Sequence, residues 1–146
     1  MNIHNTIQSF RIKLFSVGLI ISFLASSGIG AQYIDYPDNP VFSGDQTWNS
    51  LAITSPVVQH SDNGYSMWFM GRTSGYALSA GFATSQDGIV WVDNLSPLLT
   101  TGSDGEWDDT ELQKMDVIFD GNEYKLWYTG GQTPGFNYIG LATSPD

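Results

Sequence analysis

The chain has 146 residues, with five Lys and Arg against fifteen Asp and Glu, a formal charge of −10, no cysteine, and an aromatic share of 14% that equals the charged share. That length sets one domain at most, and the acid excess excludes the Lys/Arg footprint that nucleic acid requires and argues against an anionic membrane surface. The missing cysteines exclude a disulfide scaffold, a thiolate zinc site and a cysteine nucleophile, while sixteen glycines among many aromatics point to packed strands and tight turns rather than a helical bundle or an acidic disordered tail.

Residues 1–31 read as a secretory signal peptide. Arg11 and Lys13 precede the apolar run Leu14 to Leu24, and the small residues from Ala25 to Ala31 follow it. The run is short for a membrane span. Cleavage between Ser27 and Ala31 would start the mature chain near Gln32, in a secreted or periplasmic protein with no membrane segment left. Of the cations, Arg72, Lys114 and Lys125 would remain against all fifteen acids, a charge of −12.

Residues 32–146 are organised by an internal repeat with an offset of 59 residues. Between residues 48–87 and 107–146, eleven of the 40 paired positions are identical, among them Trp48/Trp107, Tyr65/Tyr124, Trp68/Trp127, Gly71/Gly130, Gly81/Gly140, Ser85/Ser144 and Asp87/Asp146. Fixed-period self-similarity is the signature of repeat architectures. The two units span about 48–106 and 107–146.

Each unit reads as strands. Pro56 to His60 runs into a turn at Asp62-Asn63-Gly64, and Asp116 to Phe119 into one at Asp120-Gly121-Asn122; Asn-Gly and Asp-Gly supply the positive φ that tight hairpins need. Tyr65 to Met70 and Tyr124 to Thr129 are second strands, apolar on both faces. Leu78 to Thr84 and Asn137 to Thr143 are third strands, and Ile89 to Val92 is predicted as a fourth. No window after the apolar N-terminal run has a helical period. The expected fold is all-β, built of four-stranded antiparallel β-propeller blades. Asp146 aligns with Asp87, so the expectation is an incomplete propeller of about two blades, with missing C-terminal blades needed to close it.

The unit Val117-Ile118-Phe119-Asp120-Gly121-Asn122-Glu123-Tyr124-Lys125-Leu126-Trp127-Tyr128-Thr129-Gly130, followed by Ile139-Gly140-Leu141-Ala142-Thr143-Ser144-Pro145-Asp146, resembles the blades of five-bladed propeller glycoside hydrolases. These are the arabinanase, levansucrase and invertase superfamily, with families 32, 43 and 68 and the related mannoside phosphorylases. Ser85-Gln86-Asp87-Gly88-Ile89-Val90-Trp91 is similar to the Asp-box of sialidase propellers, one residue shorter, and reads as a folding motif in which Ser and Asp bond backbone amides while Trp packs on the blade. The resemblance implies a carbohydrate partner. Calcium is open with so many acids, but no EF-hand spacing is present, and neither a metal nor a cofactor is expected. The resemblance also implies catalytic acids on innermost strands, at an Asp-Pro before the apolar run. Ser55 and Lys114 stand at those positions, and neither serves as one of the two carboxyl groups that glycoside cleavage requires.

Other acids crowd the approach to the second inner strand: Glu106, Asp108, Asp109, Glu111 and Asp116. Asp116 and Glu111 are the candidate catalytic groups, with Asp116 expected to line the channel and either contact ligand or pair with Lys114. Trp107, Asp108 and Trp48 are candidate substrate contacts, since an aromatic plate beside carboxylates suits sugar; the competing reading is that the tryptophans pack between blades. His60 reads as a packed or rim histidine, and Arg72 is open between a carboxylate partner and solvent. The leading functional reading is a fragment of a secreted, glycoside hydrolase-like carbohydrate-active propeller, inactive as this chain alone. The alternative is a non-catalytic glycan- or protein-binding propeller at the cell surface. A sialidase-like enzyme needs an arginine triad, and the mature chain has one arginine.

Overall fold

A computed structural model describes residues 32–74, 78–132 and 137–146; the predicted signal peptide lies outside them. The chain divides into Met1–Ile34 and Asp35–Asp146. All described strands belong to the second unit, and they form two antiparallel sheets.

The first sheet has the order β1-β2-β3-β4, with β1 at Ala52–Ser61, β2 at Gly64–Arg72, β3 at Ser79–Ser85 and β4 at Val92–Asp93. The second has the order β5-β6-β7, with β5 at Glu111–Phe119, β6 at Tyr124–Gly131 and β7 at Asn137–Ser144. Their registers correspond: Tyr65 faces Ser85 and Gly71 faces Ser79 in one sheet, Tyr124 faces Ser144 and Gly130 faces Tyr138 in the other. The hairpins turn at Gly64 (φ 102°) and Gly121 (φ 98°), a backbone region that side chains rarely enter. In the second turn the Asp120 carboxylate pairs with Lys125 and accepts from the amides of Glu123 and Asn122, and the lysine first, then the amides, pull its pKa down to about 2.

The first strands are longer than their apolar cores suggested. Both carry a register shift, between Thr54 and Val57 in β1 and between Leu112 and Met115 in β5. A bulge breaks the two-residue alternation by which a strand is read, so the stretch before it gives no strand signal.

The predicted fourth strand is displaced. Val92–Asp93 is all that pairs with β3, because the residues before it fold into the Ser-Asp turn. Ser85 Oγ accepts from the Gly88 amide (2.9 Å), Asp87 Oδ1 accepts from the amides of Ile89 and Val90 (both 2.9 Å), and Trp91 Nε1 donates to the Gly88 carbonyl (3.1 Å). Amides satisfied by a local side chain are lost to the sheet ladder. Those bonds hold the Asp87 carboxyl below its ordinary pKa, with the Val90 and Ile89 amides as the main causes.

Strand β2 feeds two cores. Met67, Phe69 and Ala83 pack beneath Phe42, Trp48, Ile53 and Trp91 on one face. On the other face, Trp68, Met70 and Ala80 meet Leu112, Met115, Val117, Leu126 and Tyr128 of the second sheet. The Trp68 ring lies 5.4 Å from Tyr124, and the Gln59 amide donates across the seam to the Val117 carbonyl (2.6 Å). Among the described residues the outer face of the second sheet has no such cover, and Ile139 and Leu141 are 71% and 53% exposed.

Within each sheet a tryptophan lies over two glycines. A Cβ on Gly71 would meet Trp48 at 2.7 Å, and one on Gly81 would meet both Trp48 and Phe69, the latter at 2.6 Å. In the second sheet a Cβ on Gly130 would lie 3.1 Å from Trp107, and one on Gly140 2.6 Å from Trp107 and 2.7 Å from Tyr128. Gly81→Ala is therefore expected to destabilise the fold by about 1–3 kcal/mol through overpacking. Urea unfolding followed by tryptophan fluorescence checks this; an unchanged midpoint would show that Trp48 is free to move aside.

Candidate functional site

The two bulges lie beside one cleft. Ser55 in β1 and Lys114 in β5 occupy equivalent positions, and both line a cleft of about 410 Å³ between the two sheets, with Thr54, Arg72, Glu111 and Gln113. Ser55 holds φ at 54°, the left-handed region, at a cost of about 1 kcal/mol for a residue with a side chain. Such strain persists where surrounding structure imposes it, and it concentrates at functional sites. A larger groove of about 570 Å³ runs between Trp68, Phe82, Leu98, Leu126 and Ala142; its lining is mainly apolar and belongs to the seam between the sheets.

Of the two catalytic candidates from the sequence, Glu111 lines the cleft and Asp116 does not. Glu111 Oε1 accepts from Gln113 Nε2 (2.6 Å). Asp116 lies beyond the bulge, between Met115 and Val117, which both enter the inter-sheet core. It is exposed, and alternation sends it to the opposite side of the strand. Its Oδ1 accepts from the Val117 amide (2.9 Å). Among the described residues the salt bridges are those of Lys125 with Asp120 and Glu123, so Asp116 and Lys114 do not pair.

The remaining acids of the approach serve the backbone. Glu106 accepts from the Ser103 amide and Asp109 from the Gly105 amide, both at 2.7 Å, while Gln132 ties the same loop by donating to the carbonyls of Gly105 and Glu106. Among the described residues no three Asp, Glu or His side chains gather as a metal-holding group.

The three candidate sugar contacts are packing groups. Trp48 stacks on Phe69 at 5.7 Å and 13°, and Trp107 lies against Tyr128 at 5.6 Å. Trp107 keeps 37% of its surface exposed. Asp108 is buried and accepts a hydrogen bond from the Tyr128 hydroxyl (2.7 Å). Burial, then that bond and the charges of Asp108 and Glu106, push Tyr128 up to about 12. In the first sheet the equivalents are Asn49 and Phe69; Asn49 is fully buried and donates to Asp93 (3.0 Å) instead. His60 is an exposed rim residue against Tyr65, with ring centres 4.5 Å apart.

Arg72, which sequence reasoning left open, is the residue that changes the site. It lies at the end of β2 and enters the cleft, with its Nε buried and unpartnered among the described residues.

No protein-family model matches the sequence, and no curated protein matches it significantly. Solved structures do. The chain is similar to a Parabacteroides distasonis ATCC 8503 protein assigned as a glycoside hydrolase (TM-score 0.63, 19% identity, 74% of this chain and 37% of that one). It is similar to a structure of the GH130 family of mannoside phosphorylases, a family containing glycoside hydrolases that target β-1,2 mannosidic linkages in Candida mannan (TM-score 0.63, 20% identity, 77% of this chain and 37% of that one). A glycosyl hydrolase from Bacteroides ovatus gives a TM-score of 0.56 at 20% identity over 68% of this chain and 30% of that one. The chain thus has the β-propeller fold of glycoside hydrolases, and it spans about a third of the length of these structures, 30% to 37%.

The Tyr128–Asp108 bond gives a measurable alkaline signature. The folded chain holds a phenolic proton up to about pH 12 that the unfolded chain releases near 10.0. Its stabilising contribution is intact below pH 10.0 and is lost as pH rises from there to about 12. Tyr128→Phe is expected to flatten that decline and, by leaving buried Asp108 without its donor, to cost about 1–3 kcal/mol at neutral pH. Denaturant unfolding at a series of pH values checks both; a parallel decline in the variant would assign the loss to other groups.

Proposed function

We propose that these two blades are part of a secreted carbohydrate-active propeller, that they form a saccharide-binding wall at the β1/β5 cleft, and that the chain by itself does not cleave glycosides. One observation carries the reading. The cleft opens at the bulged inner strands, where the resembling hydrolases keep their acids, and here those two positions hold Ser55 and Lys114.

The chemistry follows from that substitution. Cleavage needs one carboxyl group to protonate the leaving oxygen and another to act as base or nucleophile, roughly 5 to 9.5 Å apart across the bond. Glu111 is the one carboxylate among the residues lining the cleft, and Asp116 lies farther along β5, outside that lining. A single acid beside a lysine and an arginine binds and orients hydroxyl-rich ligands without completing the acid–base pair. The same substitutions favour a second reading, a non-catalytic propeller that binds glycans or proteins at a cell surface.

Purified chain is expected to give no turnover of aryl arabinosides, xylosides, fructosides or mannosides, with or without phosphate. Turnover abolished by Glu111→Gln or Asp116→Asn would overturn the reading. On a glycan array, saccharide retention supports the leading reading, and retention of protein ligands alone supports the second. Export is tested separately: N-terminal sequencing of the secreted product should begin between Gly28 and Gln32, and a retained Met1 would refute processing.

A further inference from the structure

We propose that the saccharide taken by the β1/β5 cleft carries a carboxylate, as in a uronic acid, and that Arg72 and Lys114 receive that charge. The inference rests on the saccharide-binding reading above and names its substrate class.

Charge accounting leads to it. Residues 32–146 contain three cations, Arg72, Lys114 and Lys125. Lys125 is committed to Asp120 and Glu123. Arg72 and Lys114 both line the one cleft, and neither makes a salt bridge. All fifteen carboxylate side chains of the sequence fall among the described residues. In a chain with so many acids, two cations sharing a cleft with the single carboxylate of Glu111 leave a local excess of positive charge that a ligand anion would balance.

The donors are also suitable. Arg72 keeps a buried Nε without an acceptor among the described residues; a guanidinium whose Nε has no acceptor there gains by turning a donor toward a ligand oxygen. A guanidinium presents parallel N–H groups that match the two oxygens of a carboxylate. The bulge in β5 turns Lys114 toward the same cleft, and the strained Ser55 brings a hydroxyl to its opposite wall.

The net charge of the cleft selects among anions. Two cations and Glu111 leave a single positive charge, which balances a monoanionic carboxylate and leaves a phosphate dianion in excess. Glu111 is itself turned toward Gln113, and as an acceptor it suits the hydroxyls of a sugar ring rather than a second anion.

The experiment titrates the full chain with methyl glucuronide, methyl glucoside, acetate and inorganic phosphate, using ligand-observed NMR at low and high salt. The uronide is expected to bind roughly five- to tenfold more tightly than the neutral glucoside, and this preference should fade with salt. Lys114→Ser, at an exposed position that leaves the cores untouched, should remove most of the preference; Arg72→Lys should weaken it because the paired N–H geometry is lost. Equal binding of uronide and glucoside, unaffected by Lys114→Ser, overturns the acidic-sugar inference and leaves the saccharide reading standing. Preferential binding of phosphate, or acetate binding as tightly as the uronide, also overturns it. Absence of binding by either sugar overturns both readings.

Discussion

A tryptophan laid across two glycines fixes each blade, and the other contacts are arranged around it. Trp48 occupies the space above Gly71 and Gly81, and Trp107 that above Gly130 and Gly140. One glycine of each pair comes from the middle strand and one from the third, so the ring clamps the two strands at one register. A side chain at either glycine would occupy the volume of the indole. The clamp also explains why the residue after each tryptophan is buried and polar: Asn49 and Asp108 are drawn under the loop with it and must find partners, Asp93 in one blade and Tyr128 in the other.

Electrostatics in so acidic a chain are managed locally. Asp87, Glu106, Asp109 and Asp120 each satisfy backbone amides of their own turn, so these carboxylates shape loops rather than gather into a field. Lys125 serves one of those turns. What remains is a sparse pair of cations at the cleft, whose polarity contrasts with the rest of the molecule. The cleft and the apolar seam meet along β5, which lends Glu111, Gln113 and Lys114 to the cleft and Leu112, Met115 and Val117 to the core.

Much of this was legible in the sequence. The identities at the 59-residue offset fall on the clamp itself, Trp48/Trp107, Gly71/Gly130 and Gly81/Gly140, and on the strand-ending Ser and Asp residues. Their mutual contact was not readable, because clamp and glycines are separated along the chain. The Ser-Asp turn is readable as a folding motif, and that motif consumes the amides that a strand over Ile89 to Val92 would use. Of the candidate site residues read from the sequence, Glu111 is the one that lines the cleft. Strict alternation would put Glu111 and Asp116, five apart, on opposite faces; the extra residue of the bulge returns both to the face away from the core, and Glu111 alone of the two lines the cleft. The Tyr128–Asp108 bond had a signal in the paired changes Asn49 to Asp108 and Phe69 to Tyr128, where a hydroxyl and a carboxylate arrive together.

The clamp has a consequence for the order of assembly. Tryptophan and both glycines of one clamp lie within a single blade, so a blade closes on itself with no contribution from the next. The seam between blades, by contrast, forms only when Trp68, Met70 and Ala80 meet Leu112, Met115 and Val117. In a chain made from its N-terminus, the first blade can lock while the second is still being synthesised, as domains and repeats do during translation. Each finished blade then offers the next a rigid template, and growth of the propeller becomes a stepwise addition of preformed pieces instead of one concerted closure.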